Sequence, residues 1–547
     1  MRPIGVAGES VVKKVFVSLV LVVLASATAA AQQPAANVKP LPFLPGGAAG
    51  WSGFYLSGGA GYGLWTGDVA TTFPGTTICF ICVPQTQGGK GFYGVVGGGY
   101  DFQFTPHAGA LRPNMLVGVF ADGNFGNLRG TLQDQEPFFV GTTTEDWSWA
   151  VGARIGWLPT RQVLTYVNGG YTQAHFSSAS MSFTGLPSGF PAGTPSGFST
   201  PAFTAGGWFV GGGVETTLAP WLPPGWFLRT EYRYADYGTN SLPDTCTTGC
   251  LPMLLVGTMS FHPVVQTIST EVMYKFNWAG GPGGLGVVGV PETRPGVFKA
   301  APPPVPVDRW TGFYLEGGGG YGMWNADTAT FIPTTGECLL CATQTQGGKG
   351  GFGTAGGGFD YQFSAPIGPF RPQLVAGVFA DAQLSNIAGT IQDQLPYFVG
   401  TTTQNWSWAV GARLGVLGTP QFLSYVNGGY TQAHFTSAGM VTTPNALVVG
   451  VASGTTTGLS TPAFALGGWF LGGGVETGLA SIMAPGWFLR TEYRYAYYGT
   501  ASLPDTCSGG SATCAFFGTP QGTITFHPVV QTISASLVYK FNWLAAR

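Results

Sequence analysis

The sequence has 547 residues, with 22 Lys and Arg against 24 Asp and Glu, for a net charge of −2; by size alone it holds two to four domains. Charged residues make up only 8%, while 14% are aromatic and 89 residues are glycine; ordinary soluble domains carry about a quarter charged residues. These values exclude a disordered chain, which needs high net charge and few aromatics, and nothing in them suggests a nucleic-acid partner.

In chain order, residues 1–31 read as a secretory signal peptide. Arg2, Lys13 and Lys14 give a basic start interrupted by Glu9, Val15–Leu24 is the apolar centre, and Ala29-Ala30-Ala31 supplies small residues for cleavage. The apolar run is short for an anchor helix. No later stretch has about 20 continuous apolar residues, so no transmembrane helix is expected. An exported chain of this kind ends in the periplasm, the outer membrane or outside.

A Pro-rich segment at 32–50 precedes the first of two repeats. Trp51-Ser-Gly-Phe-Tyr returns as Trp310-Thr-Gly-Phe-Tyr, the run 166–176 returns at 425–435, and Tyr274-Lys-Phe-Asn-Trp returns at 539–543. The expected units are 51–278 and 310–543, joined by a Pro/Gly-rich linker at 279–309 and followed by a tail at 544–547. Such self-similarity marks a tandem duplication. The offset between copies grows only within 176–207 and 234–260, so length changes are confined to Gly/Ser/Thr/Pro-rich loops.

Each unit reads as eight strands. In the first they lie near 51–65, 92–104, 114–126, 146–158, 163–176, 204–218, 226–239 and 261–278. The fourth shows the period of two most plainly: Trp147, Trp149, Val151, Ala153, Ile155 and Trp157 alternate with Ser148, Ala150, Gly152, Arg154 and Gly156, so one face is apolar. In the seventh, Arg229, Glu231 and Arg233 oppose Leu228, Thr230, Tyr232 and Tyr234, and the pattern repeats at 485–496. A soluble sheet turns its aromatic face to a core and its charges to water; an outer-membrane barrel does the reverse. Three features favour the barrel. The apolar faces run about nine to eleven residues, the span of a tilted strand. Aromatics sit at their ends. Long connections (66–91, 180–203, 240–260) alternate with brief ones (105–113, 159–162, 219–225).

The Trp-x-Gly-Phe-Tyr opening after a Pro-rich segment, the Thr-Glu-Tyr-Arg-Tyr seventh strand and the closing Val-Met-Tyr-Lys-Phe or Leu-Val-Tyr-Lys-Phe resemble small outer-membrane β-barrels. The resemblance is to the porin-family surface proteins of alphaproteobacteria and, more distantly, to the OmpA-like membrane barrel superfamily; it covers both repeats. It implies an eight-stranded antiparallel barrel with both termini periplasmic. It also implies roles in envelope integrity and surface interaction, with small-solute permeability or haem binding in some members. This chain departs by holding two units and by continuing past Phe541 with Asn-Trp-Leu-Ala-Ala-Arg.

Sixteen strands close either as two eight-stranded barrels or as one sixteen-stranded barrel, the first filled by side chains and the second leaving an aqueous channel. A long Pro-rich connection where one barrel needs a short turn favours two barrels; extended, it spans about 3 Å per residue. The fold expected is therefore all-β, two tandem eight-stranded antiparallel transmembrane β-barrels. Arg154, Glu215, Arg229, Glu231, Arg233, Glu271 and Lys275 should face the first lumen; Arg413, Glu476, Arg490, Glu492, Arg494 and Lys540 the second, with Ser536 replacing Glu271. Buried charges need partners. The network is either a packed plug or a narrow ion path; Gly97, Gly99, Gly211 and Gly213 would leave room for the arginines.

Cys79, Cys82, Cys246, Cys250, Cys338, Cys341, Cys507 and Cys514 all fall in the first and fourth outer loops. Their spacing would suit zinc in a reducing compartment, but export favours disulfides, with within-loop pairs preferred. His175, His434, His262 and His527 sit near the outer rim, with neither a nucleophile-elbow context nor an acid at hydrogen-bonding spacing visible in the sequence. Gly-rich runs such as 59–63 and 317–322 lie inside strands and read as barrel curvature rather than phosphate loops.

The chain is therefore read as a non-enzymatic outer-membrane protein of a Gram-negative bacterium, structural and surface-interacting through long loops. No cofactor, catalytic residue or metal ligand is assigned. The expected partners are outer-membrane lipid, lipopolysaccharide and the barrel-assembly machinery, with host, phage or peptidoglycan contacts as candidates. The rival readings are a diffusion porin, a lipid-modifying barrel enzyme and a haem-binding surface protein.

Overall fold

The structure, a computed structural model, describes residues 51–541 except 74–77, 105–113, 135–136, 161, 186–188, 219–221, 224, 247–255, 277–309, 333–337, 364–372, 394, 445–449, 481–482 and 508–521. The signal peptide, the segment 32–50, the linker 279–309, the tail 544–547, His107, Cys250 and Cys514 thus lie outside the described residues.

The first half forms β1 (Gly53–Thr72), β2 (Cys79–Phe104), β3 (Met115–Gln133), β4 (Phe139–Thr160), β5 (Val163–Phe176), β6 (Ala179–Phe183), β7 (Pro195–Thr200), β8 (Phe203–Thr217), β9 (Trp226–Asp236), β10 (Asn240–Pro243), β11 (Thr245–Cys246) and β12 (Thr258–Phe276). The second half repeats this as β13 (Gly312–Phe331), β14 (Cys338–Gln362), β15 (Gln373–Gln392), β16 (Phe398–Thr419), β17 (Phe422–Phe435), β18 (Ala438–Thr442), β19 (Thr456–Thr461), β20 (Phe464–Gly478), β21 (Trp487–Tyr498), β22 (Ala501–Pro504), β23 (Thr506–Cys507) and β24 (Thr523–Phe541).

Antiparallel pairing runs β1–β2–β3–β4–β5–β8–β9–β12 and returns from β12 to β1. The second half closes likewise, from β13 through β24 and back. Two eight-stranded rings result, and the alternative of one sixteen-stranded barrel is excluded. Closure leaves neither ring an open edge.

Alternation gives each ring an apolar outside. Phe54, Leu56, Val119, Ile155, Val167 and Val210 are exposed on the first ring, and Phe313, Leu315, Val378, Val410 and Leu414 on the second. This band runs on β1 from Phe54 to Tyr62 and on β4 from Trp147 to Trp157, the height of a bilayer core.

The walls rise well beyond the band. Residues 66–72 and 79–91, expected as loop, continue β1 and β2; 180–203 and 240–260 contain the small strands β6, β7, β10 and β11. The reason is an aromatic core inside the extension. Trp65, Phe176, Phe203 and Phe261 meet at centroid distances of 5.2–6.2 Å. Trp324, Phe435, Phe464 and Phe526 do the same in the second ring. These residues share the parity of the lumen positions, so they stopper each ring from within.

The rings dock side by side with pseudo-twofold symmetry. Lys90 Nζ reaches Asp327 at 3.0 Å, and Lys349 Nζ reaches the equivalent Asp68 at 2.9 Å. Tyr62 packs on Tyr495, and Tyr234 on Tyr321. Cys82 N donates to Thr443 O, and Cys341 N to Thr184 O. Gln87 pairs with Gln346, its own counterpart. A buried cluster of Tyr62, Leu64, Tyr493, Tyr495 and Val529 fills the contact at band height. Such a contact is isologous, the same patch meeting itself.

Candidate functional site

The most concentrated chemistry lies inside the rings. Arg154, on β4, points inward because strand residues alternate. Its Nε donates to Asp101 Oδ1 at 2.9 Å, its Nη2 sits 2.5 Å from Asp101 Oδ2, and its Nη1 meets Glu215. Lys275 on β12 bridges the same carboxylates, 2.6 Å from Asp101 Oδ2 and 3.3 Å from Glu215 Oε2. Arg229 donates to Glu215 at 2.9 Å and lies 3.5 Å from Glu271. Higher in the ring, Arg233 clamps Asp122 through both terminal nitrogens, at 2.9 and 2.7 Å, and reaches Glu231 at 2.7 Å. Tyr166 Oη donates to the other Glu231 oxygen at 2.6 Å. The guanidinium of Arg154 is sandwiched between the rings of Tyr55 and Tyr166, at 4.8 and 5.0 Å, an arrangement that suits a desolvated cation.

The second ring repeats this with Arg413 on Asp360 and Glu476, Lys540 on the same two, and Arg494 on Asp381 and Glu492. One element moves. Ser536 stands where Glu271 stood, and the missing carboxylate returns on the neighbouring strand as Glu316, 2.5 Å from Arg490. In the first ring the position of Glu316 is Ser57.

All thirteen charges expected in the lumen thus sit in these two networks. Sequence reasoning missed Asp101, Asp122, Asp360, Asp381 and Glu316. Four of these were legible as inward by parity, since Asp122 and Asp381 alternate with Ala121 and Ala382 in β3 and β15, and Asp101 and Asp360 close their strands among aromatics. The glycines make room differently from expectation. A Cβ on Gly99 would stand 2.7 Å from Tyr55 Oη, and one on Gly213 2.7 Å from Tyr166 Oη. They admit the tyrosines that flank the arginines.

The family of outer membrane protein beta-barrel domains matches residues 18–276. The 31 kDa outer-membrane immunogenic protein of Brucella melitensis is 26% identical over 188 residues, covering 34% of this chain and 67% of that protein. The crystal structure of Neisserial surface protein A aligns with 41% of this chain and 98% of its own, at 15% identity and a TM-score of 0.19. A Pseudomonas aeruginosa FadL homologue aligns with 90% of this chain and 91% of its own, at 10% identity and a TM-score of 0.25.

The fold is that of an outer-membrane β-barrel, built twice.

At the long-loop end of barrel 1, His175 Nδ1 lies 2.6 Å from Asp146 Oδ1, and its ring stacks on Trp147. His262 Nε2 lies 2.8 Å from Asp236 Oδ1. Sequence spacing makes neither acid visible; the strand pairing supplies both, bringing together residues 29 and 26 positions apart. In barrel 2 the acids become Asn405 beside His434 and Tyr497 beside His527, so the pairs do not recur as acid–base dyads. Among the described residues no group of three or more His, Cys, Asp or Glu could hold a metal ion.

Cys79–Cys82 and Cys338–Cys341 are disulfides. Cys246 and Cys507 are also oxidised. Each bonded Cys-x-x-Cys segment is the one that hydrogen-bonds to the other barrel through Cys82 or Cys341. A carboxyl pair closes each outer extension. Asp134 accepts from the Thr71 and Thr200 hydroxyls, and burial together with Asp134 pushes the Asp244 carboxyl up to about 10. Asp505 is pushed up to about 10 by burial and Asp393. A like charge beside a buried carboxyl opposes its ionisation.

Proposed function

We propose that this chain is a non-enzymatic, tandemly duplicated outer-membrane protein of the alphaproteobacterial porin-family type, structural in the envelope and surface-interacting through its outer extensions. The observation that carries this reading is the double filling of each interior. A layer of paired ions lies at bilayer height, with Arg154, Glu215, Asp101 and Lys275 almost wholly buried. An aromatic layer lies above it. An eight-stranded barrel has just enough interior to be filled in this way. On this reading both termini lie in the periplasm, the lipid contacts are phospholipid and lipopolysaccharide, and the assembly machinery inserts both barrels. The outer extensions are offered to host, phage or peptidoglycan, and the word "immunogenic" in the Brucella relative's name supports surface display.

Conductance of the full chain in planar bilayers tests this. The filled interiors give no stepwise conductance; large, regular steps would establish the diffusion porin instead.

A further inference from the structure

A cleft of about 120 Å³ opens between the barrels at the band, mostly apolar in lining. Val214 on β8 forms one wall and Val475 on β20 the other; Tyr232 and Tyr493 close its inner end, where it runs into the buried contact between barrels. Thr216 and Ser424 also line it. They stand next to the strand ends at Thr217 and Phe422, so the cleft's hydroxyl-bearing mouth is at the short-turn end.

Gly212 helps to make this space. Its neighbours Gly211 and Gly213 are forced by the lumen, where a Cβ would meet Asn168 Oδ1 at 2.5 Å or Thr230 O at 2.4 Å. Gly212 faces outward, where its Cβ would meet Tyr166 O at 3.0 Å and otherwise only Val167 beyond 3.6 Å. Glycine in a strand weakens it, and two positions earlier on the same face of β8 stands the exposed Val210. Gly473 repeats it in barrel 2 and lines the same cleft.

We propose that this cleft holds one acyl chain of a phospholipid, its glycerol end at Thr216 and Ser424 and its tail running in toward Tyr232 and Tyr493. A slot in hydrocarbon is not filled by water, because its apolar walls offer no partners, and left empty it forfeits dispersion contacts along both walls. A helix, about 10–12 Å across with its side chains, does not fit. The cleft is continuous with the barrel–barrel contact, so the lipid extends that contact toward the short-turn face. The inference rests on the outer-membrane reading.

The test is native mass spectrometry of the full chain after reconstitution in phosphatidylethanolamine bilayers and release into detergent. One phospholipid per chain is expected to survive release. Val214→Phe, or Val475→Phe from the opposite wall, should lower retention about tenfold or more, while Ile155→Phe on the open outer face should leave it unchanged. Heat-dependent gel mobility reports folding, and either cleft variant suffices if the other fails to fold. Folded protein that retains no lipid, folded cleft variants that retain as much as the parent, or equal loss in Ile155→Phe would overturn the inference. Recovery of the chain as a water-soluble species would instead overturn the membrane reading.

Discussion

The two barrels are an experiment in which one architecture has been written twice. Around the central arginine, barrel 1 places its carboxylate on β12 as Glu271, with Ser57 facing it from β1; barrel 2 places it on β13 as Glu316, with Ser536 on β24. The charge has changed strands and kept its place in space. Among the described residues, each paired network therefore joins four cations and five carboxylates: Arg154, Arg229, Arg233 and Lys275 with Asp101, Asp122, Glu215, Glu231 and Glu271 in one, Arg413, Arg490, Arg494 and Lys540 with Asp360, Asp381, Glu316, Glu476 and Glu492 in the other. The constraint acts on the filled volume, because a buried ion without its partner is costly, and which strand supplies it is free. At the rim the barrels diverge more: Glu145 becomes Gln404, Asp146 becomes Asn405 and Asp236 becomes Tyr497.

The largest break in this equivalence comes from removing the central cation. Arg229→Leu strips Glu271 of its guanidinium and Glu215 of one of three cations; Arg490→Leu does the same to Glu316 and Glu476. Each should cost its barrel about 3–5 kcal/mol, read as a lower urea midpoint in detergent, and the two losses should match.

Acidity should then separate the barrels. Burial pushes Glu145 up to about 7, and it lies just beyond the band in a small internal pocket with Tyr93, Leu128 and Thr267. Its folded affinity for a proton exceeds the unfolded one, so its contribution is complete below about pH 4.5 and is lost as pH rises toward 7. The loss is at most about 3 kcal/mol. Glu145→Gln should abolish that slope, while barrel 2, already carrying Gln404, should lack it. The raised Asp244 and Asp505 carboxyls add a fall of the same sign, beginning at about pH 4, to barrel 1 and barrel 2 alike, so it does not separate them.

Smaller still is the clasp at the rim. Replacing Cys79 and Cys82 by Ser should cost no more than about 2 kcal/mol and should speed exchange of the backbone amide at position 82, which donates to Thr443 O, without opening the barrel. Cys338 and Cys341 should behave alike. Lys90→Ala or Lys349→Ala, breaking one of the half-exposed inter-barrel pairs, should cost about 1 kcal/mol or less.

Strand parity made much of this legible. The alternation of Trp147 to Trp157, and of Arg229, Glu231 and Arg233 against Leu228 to Tyr234, marks inside from outside without any structure. The duplication and the length of 279–309 pointed to two rings. The outer extensions are not legible because Gly, Thr and Gln in 66–91 read as loop by composition, and only the aromatic core around Trp65 and Phe261 shows why they stay extended. Parity places the lumen aspartates inward but does not pair them, since Asp101 and Asp360 sit near strand ends and their partners lie across strands; Glu316 is harder still, because a repeat alignment compares positions along the chain, whereas the partner of Arg490 is set across strands. The contact between barrels leaves no pattern of its own: Tyr62, Tyr495 and Tyr234 share the apolar outer face with exposed residues such as Leu56 and Val210.

The transposed carboxylate offers the most direct measurement. Urea unfolding in detergent should compare the parent with Glu271→Ser and with Glu271→Ser combined with Ser57→Glu, which rewrites barrel 1 in the arrangement of barrel 2. The single change should lower stability by about 2 kcal/mol, as for a lost bond to a charged group, and the double change should restore it. A double variant no more stable than the single would contradict a lumen that fixes charge in space.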